Sequence, residues 1–133
     1  MAQQTLPKQD LTFLKTLETI DFGPIAFKMI HPDEGQGWIL DQATQAIEQY
    51  RRFLFLTYRY PQQTIVPSRE VDQVWHTHIL DTEKYREDCD KLFGRFIDHW
   101  PYFGLKNEAE RQQLEAAFAE TQRLLEHHFG HSE

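Results

Sequence analysis

The feature that most constrains the fold of this chain is a long run of helical periodicity at residues 39–60. Apolar side chains recur there at the 3.6-residue spacing of an α-helix, and Pro61 ends the run because proline cannot continue one. The second half, RRFLFLTYRY, is apolar on more than one face, so we expect this helix to be central in a helical bundle. The positions that follow the period are Ala43, Ala46, Ile47, Tyr50, Phe53, Leu54 and Thr57.

Shorter helical patterns lie on both sides of this run, and each carries a start or stop signal. No pair of segments alternates with the period of a β-strand, so the predicted fold class is all-α, a single compact bundle of five or six helices of unequal length. Residues 1–9 are predicted to be a frayed arm, 10–129 a single helical domain and 130–133 a tail. The predicted signals are the caps Asp10, Ser68 and Asp81, the stop Gly94, and a capping box of Asn107 with Glu110.

Charge and composition exclude several classes of function. The formal charge of −7 argues against a nucleic-acid partner, which needs a clustered basic face. No stretch approaches the roughly 20 apolar residues of a membrane span, and the N-terminus lacks a secretion signal pattern. The single cysteine, Cys89, cannot form an internal disulfide. We therefore expect a cytoplasmic protein whose partner is another protein or a small molecule, with no nucleic acid and no membrane.

The stretch at residues 70–104 concentrates the side chains that carry chemistry, and it contains the motif W-H-T-H. On a helical wheel Trp75 and His78 fall on one apolar face with Val71, whereas His76 falls well over 100° away. Two histidines so opposed cannot both bind one ion from a regular helix. His78 is therefore predicted to be structural, and H-x-H alone does not indicate a metal site.

A better-placed pair is Asp72 with His76, four residues apart on one helix face. A carboxylate at this spacing can orient an imidazole or share a cation with it. His99 lies in an aromatic loop, and docking of that loop through Trp100 and Phe103 would bring it towards His76. The sequence leaves two alternatives open for Asp72, His76 and His99: a hydrogen-bonded cluster that fixes the fold, or ligands to a divalent metal such as zinc.

Other chemistry-bearing residues have structural interpretations. Cys89 shares the apolar face of its helix with Tyr85, and a buried free cysteine behaves as a small hydrophobe. Trp75 and Trp100, with Tyr102 and Phe103, are predicted to form an aromatic core. The C-terminal HHFGHSE is interpreted as a solvated terminus after a break at Gly130.

The 70–104 stretch resembles the glycine-rich-domain-containing-protein-like family. That family's pattern is V-D-x-x-W-H-x-H followed by a tyrosine, a cysteine and H-x-P, and the resemblance covers about residues 40–104. It implies a shared fold and a shared polar cluster, without implying an activity. The matching positions are Val71, Asp72, Trp75, His76, His78, Tyr85, Cys89, Gly94, His99 and Pro101.

Three hypotheses follow for function. The first is a binding or interaction module without catalysis, in which the cluster of Asp72, His76 and His99 pins the fold or holds a small ligand or a metal. The second is a metal-dependent enzyme with the same residues as ligands. The third is an acid–base enzyme that uses His76 oriented by Asp72. The first is preferred, because the sequence offers no nucleophile motif and no recognisable substrate loop.

Overall fold

Helices alone form the regular structure of residues 6–130, which are the residues that the computed structural model describes. This confirms the predicted all-α class. The predictions for the outermost residues of the arm and tail, 1–5 and 131–133, lie outside the described part. The helices are α1 (Lys8–Thr19), α2 (Gly23–Ile30), α3 (Leu40–Arg59), α4 (Arg69–Leu80), α5 (Thr82–Phe93) and α6 (Glu108–Phe129).

Helix α3 is the centre of the bundle, as its two-sided apolar pattern predicts. It contacts α1, α2, α4 and α6. Its stripe residues Tyr50 and Phe53 are buried, and so are Phe55 and Leu56, which lie off that stripe. A helix buried on more than one side can pack against several neighbours at once. No helix in the described part of the chain is both long and apolar enough to cross a membrane.

Two of the predicted helix starts are capped by a side chain. The Ser68 hydroxyl accepts a hydrogen bond from the Val71 amide at 3.2 Å at the start of α4. The Asn107 side chain accepts one from the Glu110 amide at 2.9 Å at the start of α6. The Glu110 carboxylate does not close the capping box, because it accepts from the Gly104 amide at 2.8 Å instead. It thereby ties the aromatic loop (residues 95–106) to α6.

The prediction that Asp10 caps the first helix is wrong. Helix α1 begins at Lys8 after Pro7, so Asp10 lies inside the first turn and is buried. The Tyr58 hydroxyl donates to its carboxylate at 3.1 Å, and the Arg59 guanidinium lies 3.5 Å away. The Asp10 carboxylate therefore binds two residues at the end of α3, although the local sequence predicts that it caps α1.

The predicted aromatic core in the loop is also wrong for two of its members. Trp100 is 71% exposed and Tyr102 is 61% exposed, and the two rings pack edge to face on each other at the surface. Ile97, which is buried, anchors the loop in their place. Ile97 and the hydrogen bonds to the loop backbone hold the loop in place, and the rings of Trp100 and Tyr102 stay in contact with solvent.

The C-terminal histidines do not form a uniformly solvated end. Helix α6 stops at Gly130, whose left-handed backbone conformation (φ 82°) favours glycine, as the predicted break requires. His128 packs against the ring of Phe55, and its Nε2 lies 2.6 Å from the hydroxyl of Tyr60. This side chain pins the end of α6 to α3.

Candidate functional site

Helix α4 presents two faces with different roles, and the H-x-H motif is divided between them. Its buried residues are Val71, Val74, Trp75 and His78, the face that the helical wheel predicts. The side chain of His76, by contrast, is 53% exposed. The two histidines of the motif therefore belong to two separate polar clusters, one in the core and one at the surface.

The core cluster is a chain of hydrogen bonds through His78. Its Nδ1 lies 2.7 Å from the Tyr50 hydroxyl, and its Nε2 lies 2.8 Å from Oδ2 of Asp88. Lys84 contacts the same carboxylate oxygen at 3.1 Å. Since an ionised carboxylate only accepts hydrogen bonds, Nε2 of His78 donates to Asp88 and Nδ1 accepts from Tyr50. The network joins α3, α4 and α5.

Burial sets the protonation of this core cluster. Desolvation lowers the pKa of His78, although the Asp88 carboxylate opposes the shift by favouring the imidazolium. Desolvation also raises the pKa of Tyr50, and the charges of neighbouring groups add to it. A neutral imidazole between a protonated phenol and a carboxylate is therefore the resting state. No buried side-chain nitrogen or oxygen in residues 6–130 lacks a hydrogen-bond partner, so this arrangement is saturated.

A second chain of hydrogen bonds links the core to the aromatic loop. The indole Nε1 of Trp75 donates to the Tyr85 hydroxyl at 3.0 Å, and that hydroxyl donates to the backbone carbonyl of Ile97 at 2.6 Å. Tyr85 is buried, and desolvation raises its pKa. The phenol therefore stays protonated and holds the loop two residues before His99.

The surface cluster consists of Asp72, His76 and His99, whose candidate donor atoms all lie within 4.8 Å of one another. Nε2 of His99 is 2.7 Å from Oδ1 of Asp72 and 3.1 Å from Nε2 of His76. Nε2 of His76 is 3.6 Å from Oδ2 of Asp72, which is longer than a hydrogen bond. The structure thus brings the three side chains together, with the closer carboxylate contact on His99.

The surface cluster shares one proton between two contacts. The Nε2–H of His99 donates to Asp72, and the Nε2 lone pair of His76 lies close enough to accept a share of the same hydrogen bond. Two imidazole nitrogens and a carboxylate therefore converge on a single N–H. A cation between them would accept electron pairs from all three groups.

The spacing of the donor atoms fits such a cation. Bonds of about 2.0–2.1 Å in a tetrahedral zinc site place ligand atoms about 3.3 Å apart. The two Nε2 atoms are 3.1 Å apart, and the Asp72 carboxylate lies 2.7 Å from His99 through Oδ1 and 3.6 Å from His76 through Oδ2, so the separations lie on both sides of that value. Two histidines and one carboxylate are also a donor set that zinc uses, and three protein ligands leave a coordination position open.

The three side chains of the surface cluster differ in exposure. The side chain of His99 is 16% exposed and that of Asp72 is 34% exposed, compared with 53% for His76. The ring of Trp75 lies beneath His99 with 4.2 Å between centroids. Packing on a buried indole fixes the His99 ring, so this part of the cluster is preorganised, whereas the His76 side chain faces solvent.

The remaining residues of interest lie outside the surface cluster. Cys89 is buried, and desolvation raises the pKa of its thiol, so the reactive thiolate is disfavoured. Trp100 lies at the surface and is not part of the core. His78 contacts Tyr50 and Asp88, and its ring nitrogens are occupied by them.

Sequence reasoning missed Asp88 and the role of Tyr50 as a hydrogen-bond partner. Asp88 lies three residues after Tyr85 and four before Leu92, on the buried stripe of α5. An aspartate on an apolar stripe is a signal of a buried ion pair, because burying an unpaired carboxylate is costly. That signal was present in the sequence, but the identity of its partner depends on tertiary packing.

Comparisons with known proteins place the chain in a family. A family model described as UCP032817-like matches residues 14–122. Two curated relatives from Arabidopsis thaliana are glycine-rich domain-containing protein 1, which is 29% identical over 90 residues, and glycine-rich domain-containing protein 2, which is 28% identical over 90 residues. The aligned segment covers 65% of this chain and 11% of each relative. No solved structure matches significantly.

The described residues define a small all-helical domain, with a buried Tyr–His–Asp network and a His–His–Asp cluster at its surface. The family match covers more than half of the chain. The chain belongs to the UCP032817-like family. The family-level resemblance to glycine-rich domain-containing proteins is thereby confirmed, and the chain corresponds to about a tenth of the length of those plant relatives.

Proposed function

We propose that this protein is a small helical binding module that holds one divalent metal ion, such as zinc, through Asp72, His76 and His99. Helix α4 supplies two of the ligands one turn apart, and the aromatic loop supplies the third. The ion would join a helix and a loop that are distant in sequence. The finding that carries the proposal is the convergence of the Nε2 atoms of both histidines, 3.1 Å apart, beside a carboxylate.

The non-metal alternative is a cluster that only pins the fold. It is supported by the 2.7 Å contact between His99 and Asp72, which alone would hold the loop on α4. It gives the exposed His76 only a share of the His99 N–H, at 3.1 Å. An ion would give all three side chains an equivalent role, whereas the pin depends mainly on His99 and Asp72.

An acid–base function is less well supported by the same distances. A catalytic base is usually oriented by a third group that hydrogen-bonds to it. Asp72 lies 3.6 Å from His76 but 2.7 Å from His99. The carboxylate therefore orients the less exposed imidazole, and His76 is left without the orientation that the acid–base hypothesis requires.

The test is a calorimetric titration of zinc into untagged, chelator-treated protein, with metal analysis of the protein as purified. We expect one zinc ion per chain. Asp72→Ala, His76→Ala and His99→Ala should each weaken zinc binding by about 100-fold or more, since even outer partners of a metal site cost roughly 10–100-fold.

His127→Ala is the matched control, because His127 is an exposed helical histidine outside the cluster. It should bind zinc with unchanged affinity and stoichiometry. Equal loss in His127→Ala and His76→Ala would indicate diffuse binding to surface histidines and refute the site. If zinc fails to bind while His99→Ala lowers the melting temperature, the cluster is a structural pin.

A further inference from the structure

A cleft of about 630 Å³ opens beside the surface cluster. Its walls come from α3, α4, the segment that leads into α4, the aromatic loop and the first half of α6. Much of the lining is apolar, including Phe53, Ile65, Trp75, Phe103 and Leu114. The volume lies within the range of about 300–1,000 Å³ that is usual for small-molecule sites.

Two of the three proposed metal ligands line this cleft. Asp72 and His99 are both part of its wall, and His76 is not. An ion held by the cluster would therefore lie at the wall of the cleft, with the solvent-facing His76 behind it. A three-ligand site keeps an open position, and a ligand in the cleft would reach it beside Asp72 and His99.

The charges that line the cleft change sign when a divalent ion is present. Arg69 contributes one positive charge, and Asp72 and Asp98 contribute two negative charges, which leaves one net negative charge. A divalent ion would convert this to one net positive charge. Arg69 is exposed and makes no ion pair with any residue in 6–130. A cation is thus available in the lining of the cleft.

We propose that the cleft binds a small carboxylic acid with a flat apolar body, whose carboxylate occupies the open metal position and pairs with Arg69. The apolar body packs between the buried Trp75 and the exposed Trp100. This explains why a large aromatic side chain such as Trp100, 71% exposed, lies at the rim. The inference rests on the proposed metal site and adds a ligand class to it.

The experiment titrates 2-naphthoate into the 133-residue chain by calorimetry, with and without bound zinc, and compares it with the neutral isostere 2-naphthamide. We expect 2-naphthoate to bind the zinc-loaded protein. Its affinity should fall by at least about tenfold without zinc, and the amide should bind at least about tenfold more weakly to the loaded protein, since the charge-assisted contacts are then lost.

The variant Arg69→Gln distinguishes the affinity for 2-naphthoate from the affinity for zinc. It should weaken 2-naphthoate binding by roughly fivefold, as expected for an exposed charge pair, and leave zinc affinity unchanged. Arg86→Gln is the control, because Arg86 is an exposed helical arginine that does not line the cleft. It should alter neither affinity.

Each outcome decides one of the two proposals. Failure of zinc to bind refutes the metal site and, with it, this inference. Zinc binding without 2-naphthoate binding, or equal affinity for acid and amide, refutes the carboxylate ligand alone. Cobalt-loaded protein gives a second readout, because a carboxylate that enters the coordination sphere changes the visible absorption of the ion. An unchanged spectrum on saturation with 2-naphthoate would place the acid away from the metal.

Discussion

The buried network around His78 predicts that Tyr50→Phe destabilises the wild-type protein but stabilises the His78→Leu variant. Replacing His78 with leucine removes the acceptor of the Tyr50 hydroxyl and one of the partners of Asp88. A buried hydroxyl without a partner costs about 1–3 kcal/mol, and losing a hydrogen bond to a charged group costs about 1.5–3 kcal/mol. Lys84 still contacts the carboxylate, so we expect His78→Leu to lower the free energy of unfolding by about 3–5 kcal/mol.

The companion substitution is Tyr50→Phe, which deletes only the hydroxyl. In the wild-type background it leaves Nδ1 of His78 buried without a donor, so it should destabilise the protein by about 1–3 kcal/mol. In the His78→Leu background the same change removes a buried hydroxyl that no longer has a partner. There it should be stabilising, by about 1–2 kcal/mol.

The assay is urea unfolding followed by far-ultraviolet circular dichroism, with the free energy taken by linear extrapolation. A single domain of this length is expected to unfold in one transition. Tyr58→Phe is the matched control, because the Tyr58 hydroxyl bonds Asp10 and does not touch the network. It should cost the same in both backgrounds. If Tyr50→Phe also costs the same in both, the Tyr50–His78 hydrogen bond carries no stability and the reasoning fails.

Three further predictions follow from the other contacts. Trp75→Ala should lower the free energy of unfolding by about 3–5 kcal/mol as a large core truncation, and an unchanged thermal midpoint would contradict it. Tyr85→Phe should weaken zinc binding at the proposed site by roughly tenfold, because the Ile97 carbonyl loses the hydrogen bond that holds the loop. The circular dichroism spectrum should be preserved, and an unchanged zinc affinity would show that the loop does not need this hydrogen bond. Burial lowers the pKa of His128, so its contribution to stability is present above the ordinary imidazole value and is lost as the pH falls below it. The drop in urea midpoint from about pH 8 to about pH 5 should be smaller in His128→Gln, and an identical drop would refute this.

The sequence predicts the faces of the helices well, because burial repeats with the helical period. The four residues of α4 placed on one apolar stripe are its buried residues. The α-helical class, the central α3 and the caps at Ser68 and Asn107 follow from the same local rules. These features depend on neighbours within one or two turns, and such neighbours are visible in a sequence.

The sequence fails where a long-range partner decides the outcome. Asp10 has the local signature of a cap, but Tyr58 and Arg59 take its carboxylate. The proximity of His76 and His99 follows from docking of the aromatic loop, although the anchor is Ile97 and the hydroxyl that bonds its carbonyl. The large ring of Trp100 made it the predicted anchor, because burying a large side chain gains the most free energy. Side-chain size does not show which residue the backbone of the loop turns towards the core, and that residue is Ile97.

The division of the H-x-H motif explains how one helix can serve both the core and a surface site. A spacing of two residues turns about 200° around an α-helix, so one imidazole points inward whenever the other points outward. The inward His78 completes a saturated network, which fixes the rotation of α4 about its axis. That rotation in turn fixes the direction of His76 and Asp72. Trp75, which lies between Asp72 and His76 in the sequence, donates a hydrogen bond to the Tyr85 hydroxyl. That hydroxyl donates in turn to the backbone of the loop that carries His99. The geometry of the surface cluster is therefore set by buried hydrogen bonds, and a change in the core should be detected at the surface as altered metal affinity.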